Sequence, residues 1–206
     1  MSEETWLDAL EKQARGAHVP VMLEDGLVFL TGYIAAHPEI CSILEAGTAV
    51  GVSSMRMAGV RDDITVDTLE IDEGMYAQAV ENIRNAGFSD RIHVHLCDAV
   101  EFETDKQYDL IFIDAAKSQY RSHLEHFMKN THKHSVFVFD NLNFHGIVDD
   151  PSKSHNRSTL QMTRKIKQFR DWLMVEPRFA VKYYSGIGDG IAVAKVVRGW
   201  PGYGKQ

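Results

Sequence analysis

Oxygen-bearing side chains follow two apolar runs of this chain, and their types are those of a metal site. Asp114 comes directly after Leu110–Ile113, and Asp140 and Asn141 come directly after Val136–Phe139. If both runs are buried strands, the three side chains lie at the carboxyl edge of a sheet, where open α/β sheets hold ligands. Two carboxylates and a carboxamide oxygen suit a hard divalent ion. We therefore predict a Mg²⁺ site formed by these three residues.

A glycine-bearing turn and three acidic residues predict a nucleotide-type site at the same edge. Gly47 follows the run Ser42–Ala46, and glycine there lets a ligand approach the backbone. The sequence lacks both the G-x-G-x-x-G fingerprint and a Walker lysine. Glu45, Glu70 and Asp98 lie at the ends of three successive predicted strands. Taken singly, each is explained as a surface carboxylate or a helix N-cap. Together they fit a positive centre, ribose hydroxyls and an adenine amino group, all of which S-adenosylmethionine has.

Alternating strand and helix patterns predict the elements that position these residues. We predict helices over residues 4–15, 24–36, 52–60, 75–86, 120–129 and 158–175. We predict strands over residues 42–46, 64–71, 92–96, 110–113, 136–139, 179–184 and 191–197. Repeated βα units predict an α/β fold with a doubly wound, mostly parallel seven-stranded sheet, and the last two strands predict an antiparallel hairpin. We expect one domain over residues 1–206, with residues 1–38 as an N-terminal helical extension.

Charge is distributed unevenly along the 206 residues. Residues 1–104 carry 6 Lys and Arg against 19 Asp and Glu, whereas residues 105–206 carry 16 against 10. The stretch 151–170 holds six basic residues and no acidic one. Arg157, Arg164 and Lys165 in this stretch are candidates for contacts with nucleic-acid phosphates. The alternative is an ordinary solvated helix face.

Several features argue for a cytoplasmic protein without a membrane segment. No apolar run approaches the roughly 20 residues that a membrane helix needs. The acidic start Met1-Ser2-Glu3-Glu4 lacks the layout of a secretory signal. Cys41 and Cys97 are the only cysteines, and we expect both to be reduced core residues, with a disulfide as the less favoured alternative.

Four motifs, taken in order along the chain, resemble those of the cation-dependent, S-adenosylmethionine-dependent O-methyltransferases related to catechol O-methyltransferase. They are Glu45-Ala46-Gly47-Thr48-Ala49-Val50-Gly51, Thr68-Leu69-Glu70, Phe112-Ile113-Asp114-Ala115-Ala116-Lys117 and Asp140-Asn141. The resemblance covers roughly residues 18–197. Three further segments are similar to the bacterial members that methylate 5-hydroxyuridine of tRNA: His18-Val19-Pro20-Val21-Met22, Trp172-Leu173-Met174 and Gly188-Asp189-Gly190-Ile191-Ala192.

The resemblance implies a role for each residue that matches a family motif. Those implied to contact or line the cofactor pocket are Met22, Glu45, Gly47, Ser53, Glu70, Asp98, Ala99 and Asp114. Asp114, Asp140 and Asn141 are implied as Mg²⁺ ligands. Lys117 matches the lysine that lies next to the substrate hydroxyl, so Lys117 and Asp114 are the expected catalytic residues.

The resemblance leaves three functions open. The first is Mg²⁺-dependent methylation of 5-hydroxyuridine at the wobble position of the tRNA anticodon, which gives 5-methoxyuridine. The second is O-methylation of small catechol-like phenols. The third is a nonenzymatic module that binds S-adenosylmethionine. The resemblance also implies a homodimer, although the region before His18, which helps form the family's dimer, is expected to be about one helix shorter than in relatives.

Overall fold

The computed structural model describes residues 3–17 and 19–197. His18, the first residue of one segment that carries the resemblance, lies outside the described residues. The chain divides into two compact units, the first ending at Phe102 and the second beginning at Glu103. No described helix is both long enough and apolar enough to cross a membrane.

Among its described residues, the first unit contains four helices and three parallel strands. They are α1 (Glu3–Gly16), α2 (Glu24–Ala36), β1 (Ser42–Ala46), α3 (Val52–Ala58), β2 (Thr65–Glu70), α4 (Glu73–Asn85) and β3 (Ile92–Leu96). β2 lies between β1 and β3, with Ser42 paired to Thr65 and Val66 paired to Ile92. Cys41 and Cys97 form no disulfide in the described structure and are half-buried, whereas core positions were expected.

The described part of the second unit contains four strands and two α-helices. They are β4 (Leu110–Ile113), α5 (Tyr120–Phe127), β5 (Val136–Phe139), α6 (Arg157–Leu173), β6 (Phe179–Tyr184) and β7 (Ile191–Val196), with short 3₁₀ turns at Lys117–Gln119, Met128–Asn130 and Pro151–Lys153. β4 and β5 are parallel, whereas β7 runs antiparallel to both β5 and β6. The predicted C-terminal hairpin is therefore confirmed.

Strand order is β3-β2-β1 in the first unit and β4-β5-β7-β6 in the second, so residues 3–17 and 19–197 contain seven strands. Every residue of β4 and β5 is buried, which explains why both read as unbroken apolar runs. The predicted α/β class, with a mostly parallel sheet and antiparallel strands at the C-terminus, is confirmed.

Helix ends lie within two residues of the sequence prediction, and capping side chains set the starts of α4 and α6. α4 begins at Glu73 rather than at residue 75, since the Asp72 carboxylate accepts a hydrogen bond from the Met75 amide. α6 begins at Arg157, where the Asn156 side chain accepts from two backbone amides. The same helix ends at Leu173, two residues before the predicted end.

Candidate active site

The turn after β1 requires glycine at two positions. Gly47 has a φ of 105°, and its amide donates to the Leu69 carbonyl at 3.0 Å. Gly51 has a φ of 87° and caps the N-terminus of α3. A side chain at Gly51 would meet Ile83 of α4 at 3.4 Å. Left-handed geometry and close packing therefore both favour glycine there.

Glu45, near the end of β1, is fully buried and surrounded by hydroxyl groups. Its Oε1 accepts from Ser53 Oγ at 2.5 Å, and its Oε2 accepts from Thr68 Oγ1 at 2.7 Å and from Ser54 Oγ. Because these donors come from α3 and β2, the carboxylate fixes the start of α3 against the strands. Two of the predicted cofactor residues, Glu45 and Ser53, are thus brought into direct contact.

Glu70, at the end of β2, shapes the same turn. Its Oε2 accepts from the Ala49 amide at 2.8 Å, and its Oε1 accepts from the Ile71 and Asp72 amides at 2.9 Å. Ala49 has a φ of 47°, which is unusual for a residue with a side chain. The Glu70 carboxylate therefore stabilises a strained turn, and its predicted contact with ribose remains a prediction.

The remaining cofactor candidates of the first unit lie in the loop after β3 and in the segment between α1 and α2. Asp98 follows β3 and accepts from the Val100 amide at 3.1 Å, next to the buried Ala99. Met22 lies buried in the segment between α1 and α2, and its carbonyl accepts from Arg15 at 2.6 Å. The cofactor contacts predicted for these three residues also remain predictions.

In the second unit, Asp114 and Lys117 form an ion pair. Asp114 follows β4, and Lys117 begins the 3₁₀ turn just after it. Lys117 Nζ lies 2.8 Å from Asp114 Oδ1, and both side chains are about one-fifth exposed. The structure thus joins the two expected catalytic residues at the predicted end of the strand.

Asp140, directly after β5, is a buried carboxylate without a hydrogen bond at either oxygen among the described residues. Burial, reinforced by the negative charge of Asp114, raises its pKa to about 7. An unpaired buried carboxylate is costly, and a cation offsets that cost. The carboxylate oxygens of Asp140 are therefore suitable ligands for a divalent ion.

Asn141 supplies the oxygen type that a third ligand would need. Within the described part of the chain, no three His, Cys, Asp or Glu side chains group closely enough to hold a metal. A site that includes Asp114 and Asp140 would accordingly be completed by a different side chain, such as the amide of Asn141. The backbone of Asn141 is left-handed, with a φ of 56°.

Sequence reasoning missed Tyr120, which anchors the backbone at this site. Its hydroxyl donates to the Asp140 carbonyl at 2.8 Å. Burial and the nearby negative charges of Asp114, Asp140 and Asp189 raise the pKa of Tyr120 well above its ordinary value. Its position on the apolar face of α5 could have pointed to it, because a buried tyrosine hydroxyl needs a partner.

Sequence reasoning also treated Arg170 as part of the basic surface, and the structure corrects this. Arg170 is buried and donates to Asn143 Oδ1 at 3.3 Å and to Asp149 Oδ2 at 3.1 Å. It therefore braces the segment that follows Asn141. Arg170 lies four residues after the buried Ile166, so its place on the apolar face of α6 was readable from the spacing.

The other basic residues singled out on α6 behave differently. Arg157, Arg164 and Lys165 are exposed, and none forms an ion pair with any residue that the structure describes. At positions i, i+7 and i+8, they share one face of the helix, which we call the basic strip. Lys167, by contrast, pairs with Asp171 at 2.6 Å.

Comparison with known proteins identifies the family. A sequence model of the O-methyltransferase family matches residues 12–197. A Staphylococcus aureus protein assigned as a caffeoyl-CoA O-methyltransferase has a similar structure, with a TM-score of 0.87 and 31% identity over 92% of this chain and 91% of that one. An O-methyltransferase from Bacillus cereus in complex with SAH has a TM-score of 0.76 and 27% identity, covering 92% of this chain and 90% of that one.

Curated relatives match over shorter regions. Caffeoyl-CoA O-methyltransferase of Populus kitakamiensis is 28% identical over 74% of this chain and 68% of its own length. A tRNA1(Val) (adenine(37)-N6)-methyltransferase of Actinobacillus pleuropneumoniae is 38% identical over 42% of this chain, which spans only 36% of that relative. The chain belongs to the O-methyltransferase family, and the predicted class, an S-adenosylmethionine-dependent O-methyltransferase, is confirmed at the level of the family.

Proposed function

We propose that the protein transfers the methyl group of S-adenosylmethionine to the hydroxyl of 5-hydroxyuridine in a tRNA anticodon, with Mg²⁺ as the assisting ion. The main support for this chemistry is the state of the Asp140 carboxylate. Its two buried oxygens have no hydrogen bond among the described residues, and burial and the charge of Asp114 raise its pKa. A buried carboxylate without hydrogen-bond donors, next to the negative charge of a second carboxylate, is the electrostatic arrangement expected before a cation binds.

Asp114, Asp140 and Asn141 would hold the ion. When bound, Mg²⁺ would act as a Lewis acid that lowers the pKa of the substrate hydroxyl. Lys117 would receive the hydroxyl proton at Nζ, which requires the amine to be neutral at that moment. Its contact with Asp114 at 2.8 Å keeps the nitrogen next to the proposed ligands. Tyr120 orients the backbone carbonyl of Asp140 and so the position of its carboxylate.

The basic strip supports a polyanionic substrate. Arg157, Arg164 and Lys165 are exposed on one face of α6 and keep their charge unpaired within the described structure. Cationic side chains of this kind bind nucleic-acid phosphates by releasing counterions, so affinity falls steeply with salt. The excess of basic residues over 105–206 places this positive charge in the second half of a chain whose net charge is −7.

A second substrate class is favoured by the relatives themselves. Proteins named or assigned as caffeoyl-CoA O-methyltransferases match this chain over most of their length. A catechol-like phenol and 5-hydroxyuridine both carry two neighbouring oxygens that can chelate one ion. The same carboxylates could therefore serve either substrate, and the basic strip favours RNA over a small phenol that carries no phosphate.

The deciding experiment measures tRNA nucleosides by mass spectrometry in cells that lack the protein. We expect loss of 5-methoxyuridine and accumulation of 5-hydroxyuridine, restored by the wild-type chain but not by Asp140→Ala. Normal 5-methoxyuridine in the deletion strain would refute the tRNA substrate, and turnover of free catechols would then favour the phenol class.

Charge reversal on α6 tests the basic strip directly. Lys165→Glu should weaken tRNA binding and flatten its salt dependence, because each lost phosphate contact removes about one unit from the log–log slope. Lys167→Glu is the matched control, since Lys167 is exposed on the same helix but already paired to Asp171. Equal loss in both variants would show that net charge alone, and not the strip, governs binding.

A further inference from the structure

The segment that follows β5 is held in an unfavourable backbone conformation. We call residues 141–150 the β5 loop. Asn141, Phe144 and His145 have φ values of 56°, 42° and 56°, and Gly146 follows at 73°. Left-handed geometry is disfavoured for residues with a side chain. Such a conformation persists only where surrounding contacts impose it.

One residue outside the loop supplies two of those contacts. Asp189 is buried, and its backbone carbonyl accepts from the Asn143 amide at 2.8 Å. Its side-chain Oδ1 accepts from the His145 amide at 2.6 Å. Asp189 therefore fixes residues on both sides of Phe144, within the stretch where the left-handed residues cluster.

The neighbouring glycine makes this attachment close. Gly190 accepts from the Leu142 amide at 2.9 Å and has a φ of 86°. A side chain there would lie 2.9 Å from the backbone nitrogen of Asn143. Because β6 and β7 pair directly before and after this turn, the turn is a rigid support for the loop.

We infer that Asp189 is a positioning residue that holds the β5 loop so that Asn141 presents its amide as a metal ligand. This inference rests on the proposed function. The effective feature is the hydrogen-bond acceptor at Oδ1, which asparagine can reproduce. The alternative is that the charge acts directly on the cation, since Oδ2 makes no hydrogen bond to the residues described and lies 3.6 Å from His145 Nδ1.

The test compares Asp189→Ala and Asp189→Asn with wild type, using Asp171→Ala and Asp171→Asn as controls. Asp171 is an exposed aspartate of α6, so its variants make the same charge changes away from the loop. Hydrogen exchange of the metal-free protein follows the His145 amide. Electron paramagnetic resonance of added Mn²⁺ measures ion binding without any turnover, and kcat and KM are recorded on 5-hydroxyuridine RNA.

In Asp189→Ala we expect the His145 amide to exchange at least about tenfold faster, because a hydrogen bond to a charged acceptor is lost. The Kd for Mn²⁺ should rise by about the same factor. In Asp189→Asn, the exchange rate of the His145 amide and the Kd for Mn²⁺ should both be close to those of wild type. The two Asp171 control variants should leave both quantities unchanged.

Other outcomes separate the inference from the function it rests on. If the Kd for Mn²⁺ rises as much in Asp189→Asn as in Asp189→Ala, the charge of Asp189 acts directly on the ion and the positioning role is overturned. If Asp189→Ala binds Mn²⁺ as wild type does, the inference fails while the proposed function stands. If wild type itself binds no Mn²⁺ and shows no ion-dependent turnover, the proposed function fails, and the inference with it.

Discussion

Asp140→Asn should stabilise the metal-free protein while abolishing its response to Mg²⁺. In the absence of an ion, the buried Asp140 carboxylate has no hydrogen bond among the described residues and lies in the field of Asp114. The native fold therefore bears the cost of a buried charge that Lys117 offsets only in part and that a bound cation would offset further. Asparagine removes that charge and keeps nearly the same volume.

The size of the effect follows from the pKa of Asp140. Burial and the charge of Asp114 raise this pKa from 3.8 to about 7, which corresponds to about 4 kcal/mol above pH 7. A buried amide without partners costs about 1–3 kcal/mol in return. We expect a net gain of about 1–3 kcal/mol at pH 8, or about 2–12 °C in Tm for a chain of this length.

The pH dependence has a definite sign. Between pH 3.8 and about 7 the folded protein binds more protons at Asp140 than the unfolded chain does. Its stability therefore falls as the pH rises through this range and then levels off. Asp140→Asn lacks this titration. The difference in free energy of unfolding between the variant and wild type should therefore widen from pH 5 to pH 7.

Urea unfolding in EDTA at pH 5, 6, 7 and 8 measures this gap, with Asp171→Asn as the exposed control. A second series in Mg²⁺ should stabilise wild type and leave Asp140→Asn unchanged. An Asp140→Asn protein no more stable than wild type in EDTA at pH 8 would refute the electrostatic reasoning. Stabilisation of the variant by Mg²⁺ would refute the assignment of Asp140 as a ligand.

Three further predictions concern the supports of the site and a peripheral ion pair. Glu45→Ala should cost about 3–5 kcal/mol in urea unfolding, because it leaves buried hydroxyls without their acceptor, while Glu45→Gln should cost less. Gly190→Ala should cost about 2–4 kcal/mol, through left-handed strain and a 2.9 Å clash, whereas Gly186→Ala has open space and should be nearly neutral. The hydrogen bonds from Arg178 lower the pKa of Glu125, so their contribution is present above pH 4.5 and is lost as the pH falls through the lowered folded value. Glu125→Gln should therefore cost under about 1 kcal/mol at pH 7, since the carboxylate is partly exposed, and progressively less as the pH falls through the lowered folded pKa. A cost that does not fall with the pH would contradict this.

The sequence by itself determined the order and type of the elements. Apolar runs such as Val136–Phe139 are buried on both faces, so their composition alone marked them as inner strands. The residues that follow such runs, Asp114 and Asp140, were predicted at strand ends for the same reason. Helix ends were less well predicted, because a cap such as Asp72 acts through one side-chain contact and not through a periodic pattern.

Tertiary structure decided how each polar residue is used. Glu45 and Ser53 are eight positions apart, and only folding shows that they bond to each other. Arg170 counts as one more positive charge in the sequence but is a buried brace in the fold. Asp189 reads as an ordinary turn residue until its contact with the His145 amide is seen. Local patterns specify which backbone a segment adopts, whereas the partner of a buried polar group depends on which distant segments pack against it.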